Sequence, residues 1–141
     1  MRGEDYELLY RLEETYWWFV GMRRITNTVA AGDLRKPNLR ILDAGCGTGY
    51  NLAHYASADS REVYGFDFAA AALERVRKRG FRRIAQASVT EIPFKPESFD
   101  LVFSFDVLQQ VSAGVNEAAI REMYRVLKPG GLLFVRVAAF E

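Results

Sequence analysis

Much is missing from this chain, and each absence narrows what it can be. It has a single cysteine, Cys46, so no disulfide framework forms within the chain. It has a single histidine, His54, and no metal is expected. No apolar run approaches the roughly 18 residues that a membrane-spanning helix needs. Met1 to Asp5 is charged and lacks the apolar stretch of a secretory signal. A soluble, cytoplasmic protein with no membrane partner is the default that remains. A surplus of one charge is also missing. Nineteen Lys and Arg stand against 18 Asp and Glu, for a net charge of +1. That balance gives no argument for a nucleic-acid partner. Nor is the chain short of hydrophobic residues, which make up 50% of it, and this argues against disorder. There is no internal repeat and no low-complexity segment.

What is there fits one domain of 141 residues. Such a chain buries roughly two-thirds of its extended surface without staples. Residues 1–36 read as an N-terminal helical segment. Leu8, Leu9 and Leu12 recur at helical spacing, as do Ile25 and Val29. A dense aromatic cluster, Tyr16, Trp17, Trp18 and Phe19, reads either as core packing or as a flap over a ligand. Residues 37–141 alternate strand and helix. Strands are expected at Arg40 to Ala44, Glu62 to Phe66, Arg83 to Ala87, Phe99 to Phe105 and Leu132 to Ala138. Helices are expected at Tyr50 to Ser57, Ala69 to Arg79 and Asn116 to Leu127, the last ended by Pro129-Gly130-Gly131. Such alternation implies right-handed crossovers and a doubly wound, Rossmann-like parallel α/β sheet with helices on both faces.

The organising stretch is Arg40 to Asn51. A short apolar strand runs into Asp43, then Gly45, Gly47 and Gly49 follow at alternate positions, and a helical pattern begins near Tyr50. A strand, a glycine turn and a helix start build a ligand crevice at the carboxyl edge of a parallel sheet. Asp67, at the end of the next strand, faces the same crevice and could accept ribose hydroxyls. Two familiar ligands are disfavoured by what the loop lacks. The dinucleotide fingerprint needs a third glycine where Tyr50 stands. The phosphate-binding Gly-Lys-Ser/Thr is absent, and Asp43 would repel a pyrophosphate. An acid there suits a ligand carrying positive charge.

Asp43-Ala44-Gly45-Cys46-Gly47-Thr48-Gly49 resembles motif I of the class I S-adenosylmethionine-dependent methyltransferases. The likeness extends through Val63-Tyr64-Gly65-Phe66-Asp67, Ile92-Pro93-Phe94 and Ser98-Phe99-Asp100-Leu101-Val102. It continues in Val107-Leu108-Gln109-Gln110-Val111 and in Arg125-Val126-Leu127-Lys128-Pro129-Gly130-Gly131, in family order. Trp17-Trp18-Phe19 with Arg23-Arg24 resembles the N-terminal segment of small-molecule members. The resemblance implies strand order 3-2-1-4-5, S-adenosylmethionine as cofactor and a small-molecule methyl acceptor. It also implies roles by position. Gly45, Cys46, Gly47 and Gly49 would wrap the methionine part, and Asp43 would hold its amino group. Asp67 would take the ribose, Phe68 the adenine face, and Ser88 and Val89 the adenine edge. Phe105 would close the strand beneath the methionine. Ser88 departs from the family, which often has aspartate there.

No catalytic residue stands out. Relatives often carry histidine near Gln110, but Gln109 and Gln110 make poor bases. Asp106 is a candidate, balanced by a plain strand-end role. His54 is expected to be solvent-exposed and idle, and Cys46 to be packing. The basic run Arg75, Arg77, Lys78, Arg79, Arg82 and Arg83 reads as a solvated helix face rather than a nucleic-acid patch. The rival to a methyltransferase is a cofactor-binding module without turnover, because family sheets continue past the fifth strand and this chain stops at Glu141. The last strand is apolar on both faces, so a homodimer through this C-terminal edge strand is expected.

Overall fold

The computed structural model describes residues 3–58 and 60–138. The outermost ends of the two expected segments, residues 1–2 and 139–141, lie outside the described residues. Three helices lead: α1 (Gly3–Leu12), α2 (Trp17–Val29) and the short α3 (Ala31–Leu34). The sheet follows, with strands β1 (Arg40–Ala44), β2 (Glu62–Asp67), β3 (Ile84–Gln86), β4 (Phe99–Phe105) and β5 (Leu127–Arg136). Helices α4 (Tyr50–Tyr55), α5 (Ala70–Lys78) and α6 (Ala113–Val126) connect them. All four pairings are parallel and the order is β3-β2-β1-β4-β5. The doubly wound reading therefore stands.

Strand residues alternate between two cores. Leu42, Phe66 and Val102 point to a face covered by Met123 and Val126 of α6. Ile41, Val63 and Phe103 point to the other, against Leu52 and Tyr55 of α4 and Val76 of α5. Because both faces are covered, the central strands read as near-continuous apolar runs. The Tyr55 and Phe103 rings stack at 4.5 Å, so α4 is pinned to β4. α5 ends where expected. Gly80 takes φ 89°, and the Phe81 N–H reaches back to the Val76 carbonyl at 3.4 Å, a left-handed helix stop.

Several boundaries shift by one or two residues, and two differ from expectation by three or more. α6 starts at Ala113, three residues before Asn116, with Ser112 in the cap position; Gly114 inside the first turn hid the start. β5 begins at Leu127 rather than Leu132. Phe99 pairs with Leu127 and Leu101 with Leu132, so Lys128 to Gly131 bulges out of an edge strand instead of separating helix from strand. Pro129 is tolerated at a bulge because it owes the ladder no N–H, and Gly130 takes φ 78°.

The aromatic cluster fits neither earlier reading in full. Trp17 is 69% and Trp18 43% exposed, edge to face with each other. Only Phe19 of the three turns toward the sheet's ligand crevice. The basic run is also not a uniform solvated face. The side chains of Arg75 and Arg79 are mostly covered, and both pair with acids of the N-terminal segment.

Candidate cofactor site

The site begins where β1 and β2 stop. The N–H groups of Gly45 and Cys46 both donate to the Phe66 carbonyl, at 3.0 and 2.8 Å, folding the loop back across β2. Gly45, Gly47 and Gly49 all have positive φ. At Gly45 space is decisive too, since a Cβ would lie 2.4 Å from Val107 Cγ2. Asp67 is fixed by the same loop. Its Oδ2 accepts from the Gly47 N–H at 2.8 Å and its Oδ1 from the Ala69 N–H at 2.9 Å.

These groups floor a cavity of about 600 Å³. Nine of the ten expected site residues line it: Asp43, Gly45, Cys46, Gly47, Asp67, Phe68, Ser88, Val89 and Phe105. Gly49 does not. It caps α4, and a Cβ there would meet Val76 Cγ2 at 3.0 Å, so its glycine serves helix packing. Phe68 stands at the mouth, 79% exposed. The Ser88 hydroxyl is already engaged in its own turn, with Thr90 Oγ1 at 2.8 Å and the Thr90 N–H at 3.2 Å.

Another wall comes from the N-terminal segment. α1 supplies Tyr6 and Leu9, and Glu13 follows it; α2 supplies Phe19 and Arg23. Phe19 and Arg23 belong to the family-like segment read from the sequence, whereas Tyr6, Leu9 and Glu13 carried at most an amphipathic pattern. Residues after β4, namely Asp106, Val107, Gln110 and Val111, close the end beside Arg136 of β5.

Charge is unevenly settled here. Asp43 is 2% exposed and its Oδ2 has no partner among the described residues. Burial, then Asp67 and Glu13, push its carboxyl up to about 7, against the pull of Arg136. The Cys46 thiol is pushed well up by burial and then by Asp43 and Asp67, so it stays protonated and serves as packing. Arg23 lies 4.1 Å over the Tyr50 ring, donates to the Glu14 carbonyl at 3.4 Å, and lies near enough to Glu13 to oppose the rise that burial gives its carboxyl pKa. Asp106 is committed. It adopts φ 60° and pairs with Arg136, whose Nε donates at 3.1 Å. Arg136 thus turns into the cavity. Gln110 Nε2 donates to the Asp106 carbonyl at 2.7 Å.

His54 differs from expectation. It is half-buried and lies off the cavity, and Asn27 Nδ2 donates to its Nε2 at 2.9 Å. Burial, then Arg23 and Arg61, lower its pKa. A neutral ring accepting at Nε2 tethers α2 to α4.

Comparison with known proteins places this geometry. Residues 42–135 match the family model described as a methyltransferase domain. A probable thiol methyltransferase 2 of Arabidopsis thaliana is 37% identical over 116 residues, covering 77% of this chain and 50% of that protein. A probable tRNA methyltransferase 9B of Bos taurus is 36% identical over 109 residues, covering 76% of this chain and 23% of that protein. The crystal structure of a putative S-adenosyl-L-methionine-dependent methyltransferase from Methanococcus maripaludis superposes with TM-score 0.77 at 21% identity. It covers 94% of this chain and 62% of that one. The chain thus spans half or less of the length of these sequence relatives. Among the described residues no helix is long and apolar enough to cross a membrane. By sequence and by fold, the chain belongs to the class I S-adenosylmethionine-dependent methyltransferase family.

Proposed function

We infer that this chain binds S-adenosylmethionine in the cavity and transfers its methyl group to a small-molecule acceptor. The observation that carries the reading is the unpartnered, buried Asp43 oxygen on the cavity floor with Arg23 on the wall. An amino-acid zwitterion answers both, its ammonium at Asp43 and its carboxylate at Arg23. A buried carboxylate without a partner is costly, and a cationic ligand relieves that cost. Gly47 leaves room for close approach, because a Cβ there would find nothing nearer than Leu9 Cδ2 at 4.0 Å. Asp67 keeps acceptor capacity for a diol, since each of its oxygens has two lone pairs and accepts one hydrogen bond among the described residues.

When bound, the cofactor supplies an electrophilic methyl group on a sulfonium. The chain's part is to position and to exclude water. Phe19, Phe105, Val107 and Val111 give the cavity apolar walls, fitting a compact acceptor. Asp106 is tied to Arg136 and is best read as shaping the site rather than as a free base. Two further readings belong to this proposal. The acceptor is not nucleic acid, which is supported by Arg75 and Arg79 being spent on internal contacts. Two copies pair through β5, which is supported by the exposure of Leu132, Val135 and Val137 along that edge.

Calorimetry with S-adenosylmethionine, its demethylated product and NAD tests the cofactor. Binding of the first two and not the third is expected; NAD binding alone would sink the reading. Methyl-donor consumption against a panel of small oxygen, nitrogen and sulfur nucleophiles, with tRNA as comparison, tests the acceptor.

A further inference from the structure

Arg79 sits at the C-terminal cap of α5, and only 9% of its side chain is exposed. Its guanidinium reaches two distant parts of the fold. Nε donates to the Thr48 carbonyl, inside the glycine loop, at 3.0 Å. Nη2 donates to the Tyr10 carbonyl and to Glu13 Oε2, both at 3.2 Å, and Nη1 to Glu14 Oε1 at 3.3 Å. Its plane lies 4.2 Å from the Tyr10 ring centre and 5.2 Å from that of Tyr50. Glu13 is held a second time, by the Thr48 hydroxyl.

Apolar burial fastens this region only partly: neither α1 nor α2 contains a fully buried residue, and Leu9, Leu12 and Phe19 are half-buried. Other ties include Arg75 to Glu7 at 3.4 Å, Asn27 to His54 at 2.9 Å, and Arg23 over the Tyr50 ring at 4.1 Å. An element held by little apolar contact opens at low free energy. A planar fork of five fixed donors suits a junction of several acceptors, and a lysine supplies only a point.

We propose that Arg79 is the positioning residue that holds α1 and the turn after it closed over the cavity, and that breaking its contacts sets the rate of ligand release. The proposal rests on the cofactor reading above. Tyr6, Leu9 and Glu13 wall the cavity from this segment. Because Arg79 also grips the Thr48 carbonyl, the cover and the glycine loop move as one unit while it is in place.

The experiment is stopped-flow release of the demethylated cofactor from wild type, Arg79→Gln, Arg79→Lys and Glu13→Gln, with folding checked by circular dichroism. Release about tenfold faster is expected in Arg79→Gln, with association changed less. Arg79→Lys is expected to fall between, and Glu13→Gln to be faster than wild type. Glu13→Gln lies outside the sheet and α5, so it keeps the test open if Arg79→Gln does not fold. Release within twofold of wild type in the folded variants overturns the proposal. Hydrogen exchange on the ligand-free chain gives an independent reading. Amides of α1 should exchange faster in the variants while those of β1 and β4 do not. If wild type binds no cofactor at millimolar concentration, the cofactor reading fails. The clamp is then judged by exchange alone, and unchanged α1 protection rejects it.

Discussion

At the residue scale, Asp43 makes the site pH-sensitive. Its carboxyl is raised from 3.8 to about 7 in the folded, ligand-free chain. An ammonium ligand binds the ionised form. Affinity for the demethylated cofactor should therefore fall below pH 7, by up to about tenfold per unit, and Asp43→Asn should flatten the profile. A calorimetric series from pH 8 to 5.5 checks this. The sign for stability runs the other way. Between 3.8 and about 7 the unfolded chain has lost a proton that the folded chain still holds. This group's contribution is complete below that window and is lost as pH rises through it. Melting of the free chain should show that loss, and saturating cofactor should offset it.

Asp67 works differently, since two backbone N–H groups already hold it. Asp67→Ala should weaken cofactor binding roughly ten- to a hundred-fold, equivalent to about 1.5–3 kcal/mol for a charge-assisted hydrogen bond. It should also lower the melting temperature, because the Gly47 and Ala69 N–H groups lose their acceptor. Unchanged affinity in a folded variant would show that Asp67 does not touch the ligand. The acid was legible from its place at a strand end. Its bond to the glycine loop was not, because Gly47 and Asp67 are 20 residues apart and no local pattern links them.

At the scale of the element, the glycine loop separates two demands. Gly47 borders open cavity and takes φ 53°. Gly47→Val should abolish cofactor binding, because a branched side chain occupies the approach and strains a positive φ. Gly45→Ala should instead destabilise the fold, because its Cβ collides with Val107. Comparing melting and binding for the two variants checks the separation. The loop was readable because strand, turn and helix signals adjoin there. The start of β5 was not, since Pro and two glycines mark a break as readily as a bulge. The role of α1 was also hidden. Its contacts with Arg79 span 66 to 69 residues, and the basic run around Arg79 has the composition of an ordinary exposed helix.

At the scale of the whole molecule, β5 lies at the end of the sheet and, among the described residues, pairs with β4 alone. Val135 and Val137 are 41% and 50% exposed. Two copies should meet there about a two-fold axis. Light scattering after size exclusion should give a dimer at high micromolar concentration, and Val135→Lys should return a monomer. A monodisperse wild-type monomer would exclude the pairing. The strand order itself was legible, through the alternation of apolar runs with amphipathic stretches and through the resemblance that supplied the sequence of neighbours.

That order has a consequence for how the protein comes into being. β1 lies between β2, which follows it closely, and β4, whose Asp100 binds the Arg40 N–H across 60 residues. Non-local parallel pairing is slow to form. On the ribosome, the floor of the cavity, residues 43–49, is made long before its far wall, residues 105–111. A nascent chain that has emerged only as far as β3 has Asp43, Asp67 and the residues of α1 and α2 that wall the cavity, but not the wall formed after β4. Cofactor therefore meets a complete cavity only in chains in which β4 has already slid in beside β1.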